Sequence, residues 1–210
     1  MAIANGLPRR VEPELLDDLA AADPRAQRCR GDLRRLHRAM TTLSIVLRAL
    51  DRATAGSPPR TILELGAGDG SLMLRVAQRR VARWPDVKLT LLDRLHLVDA
   101  QTLGGLRDIG WTLDVMAMDV FEWLARPASA RWDIVCANLF MHHFSPVALA
   151  RLLAGIAARS RIFFCCEPRR SALPLAASHL VGLLGAGPLM RQDAVFSVHA
   201  GFRAQELTAL

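Results

Sequence analysis

Tyrosine is absent from this 210-residue sequence, and only 5% of its residues are aromatic. Lysine occurs once, at Lys88, so the rest of its 27 basic residues are arginines, spread along the chain. The formal charge of +7 taken alone would suit nucleic acid or an anionic surface. Yet no stretch interleaves the arginines with rings on which bases could stack, so no nucleic-acid groove is expected. Cysteine is scarce and unpatterned. Cys29, Cys136, Cys165 and Cys166 include no Cys-x-x-Cys, and three lie in apolar runs. Buried free thiols in a reducing compartment account for them. The first residues lack the apolar core of a signal peptide. The most apolar later run, 172–190, is broken by Pro174, His179 and Pro188, which excludes a membrane span there. A cytoplasmic protein is expected. No His, Cys, Asp and Glu set has metal-ligand spacing, so no metal is expected. There is no nucleophile-elbow serine and no phosphate-binding lysine motif.

What is present is apolar residue, 51% of the chain. That suffices for one α/β domain with a small additional element. There is no internal repeat. Pro13 suits a first helical turn, and Asp23-Pro24 provides a cap and a first helical residue. From there Leu33, Leu36, Met40, Leu43, Leu47 and Leu50 recur at steps of three and four, one apolar face of a helix. "AGSPPR" at 55–60 reads as a linker. Beyond it, strand-like runs at 61–65, 87–92, 113–118, 133–137 and 161–166 alternate with helical stretches near 70–83, 95–109, 121–126 and 145–158. Strands this apolar imply a parallel sheet covered on both faces.

The stretch "ILELGAGDG", Ile62 to Gly70, places three glycines directly after the first strand. Glycine lets a backbone turn sharply and approach a ligand closely, and in an open parallel sheet that turn lies at the carboxyl ends of the strands. A nucleotide-like ligand over Gly66, Gly68 and Gly70 is expected; an ordinary tight turn is the alternative. The second strand ends in Asp93, a carboxylate able to accept from ribose hydroxyls or to cap the next helix. The third ends in Asp119, able to accept from an adenine amino group beside Val120 and Phe121, or to cap a short helix.

Taken together, an acid before Gly-x-Gly-x-Gly and acids closing the second and third strands resemble the class I S-adenosylmethionine-dependent methyltransferases. "DIVCANLFMHHF" and "FFCCEPRR" are similar to strands four and five of the ubiquinone/menaquinone-type and small-molecule O-methyltransferase branches. The resemblance covers about residues 60 to 170. It implies S-adenosylmethionine as cofactor, with Glu64, Gly66, Ala67, Gly68 and Gly70 at its methionine end. It further implies Asp93 and Arg94 at the ribose, Asp119 with Val120 and Phe121 at the adenine, and Asn138 and Leu139 near the sulfonium. A nicotinamide dehydrogenase would use a similar loop. Its Gly-x-Gly-x-x-Gly spacing is not present, and without tyrosine the Tyr/Lys pair of the short-chain enzymes cannot be built.

Methyl transfer from a sulfonium is an in-line displacement, which requires alignment and exclusion of water. An oxygen acceptor must also lose a proton, which histidine can take near neutral pH. His142 and His143 follow the fourth strand. In the resembling branch the histidine at 143 often serves structure, which leaves His142 as the freer ring; either is a candidate catalytic base, with a satisfied structural histidine as the alternative. Glu167 and Arg169 end the fifth strand: Glu167 can bond substrate or an N-terminal helix, Arg169 can meet a carboxylate or phenolate, and a rim salt bridge is the alternative for both. His37 lies near the expected lid helix, and His179 sits in an apolar stretch as pocket wall or core. The expected fold is α/β, a Rossmann-like doubly wound, mostly parallel sheet with helices on both faces. Its parts are an N-terminal helical cap over 1–54, a cofactor-binding core over 55–170 and a helical lid over 171–210. The resembling family closes its sheet with a final antiparallel hairpin whose two strands are not expected here, which leaves a fifth-strand edge to be covered by another segment, a loop or a second copy as a homodimer, unless the chain is shortened. The expected activity is methylation of a small, fairly apolar acceptor: O-methylation of a hydroxylated aromatic, quinone or polyketide-like metabolite first, C-methylation next. The alternatives are an RNA or protein methyltransferase, or a non-catalytic cofactor-binding subunit.

Overall fold

The computed structural model describes residues 7–54, 57–128 and 131–209. Ala55 and Gly56, the first two residues of the expected linker, lie outside them. Five strands form one parallel sheet: β1 Thr61–Leu65, β2 Lys88–Asp93, β3 Thr112–Ala117, β4 Trp132–Asn138 and β5 Ser160–Cys166. Their order is β3-β2-β1-β4-β5, so the chain winds outward from β1 in one direction, then starts again at β4 in the other. The carboxyl ends of β1 and β4 therefore meet at the switch point, with Leu65 opposite Ala137. All five expected strands are present, each with its ends within one residue of the expected ones. On its outer side β5 pairs with no strand among the described residues.

Ile62, Leu63 and Leu65 of β1 are fully buried, as are Leu89 of β2 and Val135 of β4. Consecutive residues of a strand point to opposite faces, so such runs are buried only where both faces are covered. Each of these side chains contributes about 1.5–3 kcal/mol on leaving water. Helices α2 (Thr42–Ala53), α3 (Ser71–Arg80) and α4 (Ala100–Asp108) supply Leu43, Val46, Leu50, Met73, Val76 and Leu106 to the same core. Helix α5 (Val120–Ala125) and the body of α6 (Pro146–Arg159) belong to this unit as well, joined where Arg159 donates to the carbonyls of Leu124 at 2.7 Å and Arg126 at 2.9 Å. Asp133, early in β4, accepts from the amides of Arg60 at 2.9 Å and Thr61 at 3.1 Å, which sets where β1 begins.

Of the described residues, those within 41–140 and 150–166 make up this sheet unit, and 7–40, 141–149 and 167–209 a second compact unit. The expected cap over 1–54 is thus shared between the two. The apolar stripe from Leu33 to Leu50 also runs along two helices rather than one. Helix α1 (Pro24–Ala39) stops at Met40, and Thr41 takes a left-handed conformation with φ 54° before α2 starts. The stripe serves two cores: Leu33 and Leu36 pack with Cys29, Val181, Met190 and Ala194 in the second unit, while Leu43, Val46 and Leu50 join the sheet. The second unit adds a 3-10 turn at Leu15–Asp18, another at Met141–His143, helix α7 (Ala172–Leu180), a 3-10 turn at Val181–Leu184 and helix α8 (Pro188–Ala200). All four cysteines are free thiols. Among the described residues no helix is long and apolar enough to cross a membrane.

Candidate functional site

The turn after β1 carries three left-handed glycines: Gly66 at φ 66°, Gly68 at φ 56° and Gly70 at φ 71°. A β-carbon at Gly66 would collide with the ring of Phe140, which follows β4 across the switch point. At Gly68 it would meet nothing within 4 Å. The turn is thus packed at its first glycine and open at its second, where a ligand can lie against bare backbone. The Gly68 amide donates to Asp93 Oδ2 at 2.9 Å, and the Leu95 amide donates to Oδ1 at 3.0 Å. Asp93 does not cap α4; Asp99 does, accepting from the Thr102 amide at 2.8 Å. Each Asp93 oxygen keeps a lone pair beyond these bonds.

Glu64 is only 3% exposed, and its Oε2 has no hydrogen-bond partner among the described residues. Burial pushes this carboxyl well above the usual carboxylate range, and the charges of Asp69 and Asp93 push it further. A buried carboxyl oxygen without a hydrogen-bond donor costs free energy. Asn138 Oδ1, at the end of β4, and Thr90 Oγ1, inside β2, are likewise buried without partners. Leu139 lies in the left-handed region at φ 52°, held there as its amide donates to the Cys166 carbonyl at 2.8 Å. For a side chain with a Cβ that conformation stores strain, of a kind found where backbone lines a site. Asp119 caps α5, its Oδ1 accepting from the Phe121 amide at 2.7 Å. It follows Met118, whose amide donates to the Asp93 carbonyl at 2.8 Å, so the tips of β2 and β3 stay together. Val120 is buried, Phe121 is half-buried with the Arg151 guanidinium 5.2 Å from its ring centre, and Arg94 is exposed.

The histidine pair belongs to the second unit, with the relative freedom of its rings reversed from expectation. His142 is 2% exposed; its Nδ1 lies 2.7 Å from Glu167 Oε2 and its Nε2 3.3 Å from Glu14 Oε1. Burial opposes the charged ring, but the hydrogen bonds to Glu14 and Glu167 outweigh it, and the pKa is pushed up to about 9. As an imidazolium both nitrogens donate, leaving no acceptor for a substrate proton. His143 is the more exposed ring at 23%, with Nδ1 3.3 Å from Asp17 Oδ2. Glu167 holds the turn itself, accepting from the amides of Met141 at 2.8 Å and His142 at 3.3 Å. It is an anchor of this turn rather than a free rim group.

Other expected contacts fall elsewhere. His179 is neither core nor pocket wall: it is exposed near the end of α7, beside an exposed Leu180. Arg169 is exposed, while its neighbour Arg170 is buried and donates to the carbonyls of Leu7 and Gly201 and to Glu206. His37 is half-buried in the last turn of α1. A hollow of about 180 Å³ between α1 and the Val181–Leu184 turn is lined by none of the expected cofactor or substrate residues, although Leu36 of the leucine stripe borders it. Sequence reasoning missed Phe140, Thr90, Glu14, Asp17 and Arg170. Thr90 had a local signal, a lone hydroxyl in "KLTLLD". Glu14 had none, because it lies 128 positions from His142.

No family model and no curated protein matches the sequence. Among solved structures, an O-methyltransferase family protein from Burkholderia thailandensis superposes with a TM-score of 0.60 at 15% identity, over 90% of this chain and 54% of its own. The magnesium protoporphyrin IX methyltransferase from Synechocystis, with bound SAM, covers 75% of this chain and 70% of its own at TM-score 0.47 and 13% identity. The N-terminal domain of EvdMO1 with SAH bound covers 61% and 51%, at TM-score 0.46 and 22% identity. The first of these likenesses is one of fold: the sheet and its helices are arranged like those of that structure. The chain spans about half the length of that protein.

Proposed function

We propose that the sheet unit binds S-adenosylmethionine and that the protein transfers its methyl group to a small, fairly apolar acceptor. The observation that carries the cofactor reading is the buried, unpaired Oε2 of Glu64 in the strand before the open Gly68 turn. An amino acid's ammonium group supplies the donor this oxygen lacks, and it would hold Glu64 as a carboxylate against the cost of burial. The residues present therefore suit the cofactor. Gly66, Ala67, Gly68 and Gly70 provide its backbone bed. Asp93 takes the ribose, using the lone pairs left beyond Gly68 and Leu95, with Arg94 alongside. Asp119 takes the adenine amino group with the oxygen that does not cap α5, and Val120 and Phe121 cover the ring. Asn138 and Leu139 border the reacting end.

When bound, the cofactor supplies an electrophilic methyl group on a sulfonium. This chain's part is to orient that group and keep water from it. His142 is not assigned the acceptor's proton, since its ring already donates to two carboxylates. O-methylation of a hydroxylated aromatic, quinone or polyketide-like metabolite is the first reading, with C-methylation next. Thermal-shift measurements with S-adenosylhomocysteine and with NAD(H) test the cofactor: stabilisation by the first alone is expected, and stabilisation by NAD(H) alone would overturn it. A methyl-transfer panel of phenolic and quinone acceptors then tests the acceptor class.

A further inference from the structure

We propose that Glu14, His142 and His143 form a binding site for a divalent transition-metal ion of the zinc class. Each residue offers one donor atom, and the three donors lie within 4.8 Å of one another. Donors on a tetrahedral zinc ion, at about 2.0–2.2 Å from the metal, sit roughly 3.3–3.5 Å apart. His142 Nε2 and Glu14 Oε1 are already 3.3 Å apart. Two imidazoles and a carboxylate are a donor set that zinc takes readily, with a fourth position left for water.

The surroundings of the three donors supply an independent argument. A metal-bound histidine characteristically donates its other nitrogen to a carboxylate, which fixes the ring and strengthens it as a ligand. His142 does so: its Nδ1 is held by Glu167 at 2.7 Å, which aims Nε2 at Glu14. Asp17, 3.3 Å from Nδ1 of His143, gives the second ring an acidic partner too. Glu14 is in turn held by the Ser197 hydroxyl. Three carboxylates thus surround two imidazoles, and Asp193 adds its charge near Glu14. Arg9 stands near Glu167, and its side chain is committed to the carbonyls of Ala200, His142 and Phe144. This excess of acid favours a divalent ion in place of the proton between Nε2 and Glu14. Access comes from the side of His143 and Asp17, which are 23% and 41% exposed, while His142 and Glu14 are 2% and 13%.

The ion would clip the Leu15–Asp18 segment to the turn at Met141–His143, closing a loop of well over a hundred residues. It would make His143 a ligand rather than a base. The inference does not depend on the cofactor reading.

The test titrates the metal-free, full-length protein with Zn²⁺ by calorimetry and with Co²⁺ by absorbance. One equivalent is expected to bind, with visible Co²⁺ ligand-field bands and no near-ultraviolet thiolate charge-transfer band. Glu14→Gln and His143→Ala, the first isosteric and the second at a partly exposed position, should each weaken Zn²⁺ at least tenfold while keeping a cooperative melt. Absence of binding, a thiolate band marking a cysteine site, or unchanged affinity in both variants would overturn the site and leave the cluster a metal-free ion-pair network.

Discussion

The amide of Gly68 donates to Oδ2 of Asp93 at 2.9 Å, so the bare turn after β1 is held by the carboxylate at the tip of β2. A single side chain thus shapes the bed and, in the proposed reading, also grips the ligand laid on it. Asp93→Ala removes both contributions. S-adenosylhomocysteine affinity should fall by an amount worth about 1–3 kcal/mol, read by calorimetry. An unchanged dissociation constant would take Asp93 out of the ribose site.

Glu64→Gln should have opposite effects on stability and on binding. Burial raises the folded pKa of Glu64 above its unfolded value, with Asp69 and Asp93 adding to the rise. The native state then keeps a proton that the unfolded chain has lost above about pH 4.3. That contribution to stability is complete below the unfolded pKa and is lost as pH rises toward the folded one. The glutamine variant lacks this slope, so it should match or exceed the parent in stability at pH 7 and converge with it in acid. Urea melts between pH 5 and 8 read this. A variant less stable than the parent at pH 7 would contradict the buried, unpaired carboxyl.

Gly66→Ala and Gly68→Ala separate packing from backbone conformation. Both positions have positive φ, so each alanine costs about 1–2 kcal/mol for that alone. At Gly66 the new methyl also strikes the Phe140 ring, whereas at Gly68 it meets open space. Chemical denaturation should find Gly66→Ala the more destabilising by a further 1–3 kcal/mol or so. Adding Phe140→Ala to that variant should cost less than Phe140→Ala in the parent. Equal costs at the two glycines would mean that Phe140 does not sit on the turn.

Asp133 gives the reverse pH signature. Burial would raise its pKa, but the amides of Arg60 and Thr61 and the side chains of Arg161 and Thr61 outweigh this and hold it below the usual value. Its stabilisation is therefore present above the unfolded pKa, about 3.9, and lost as pH falls through the lower folded value. Asp133→Ala should destabilise by about 1–3 kcal/mol at pH 7 and flatten the acid limb of the stability profile. An acid limb as steep as the parent's would place the native-state carboxylate elsewhere.

The five strands were legible because each is a short apolar run bounded by polar or turn residues, a pattern local in sequence. The loop after β1 was legible for the same reason: glycine at alternate positions is a backbone requirement written in adjacent letters. What was not legible depends on distant partners. At Thr41 the helix breaks, and Leu36 and Leu43 on either side of it serve different cores, although the leucine spacing crosses the break without a fault. His142 read as the freer ring because nothing near it in sequence discloses Glu14. In "EPRR" one arginine is exposed and the next is buried against Leu7, Gly201 and Glu206. The two letters are identical, and only contacts made by far segments distinguish them.

Whether Glu64 anchors the cofactor is decided by isothermal titration of the protein and of Glu64→Gln with S-adenosylhomocysteine. Saturable one-site binding to the parent is expected, weakened tenfold or more in the glutamine variant, whose fold stability at pH 7 is not reduced. Equal affinity in the two proteins, or no binding to either, would contradict it.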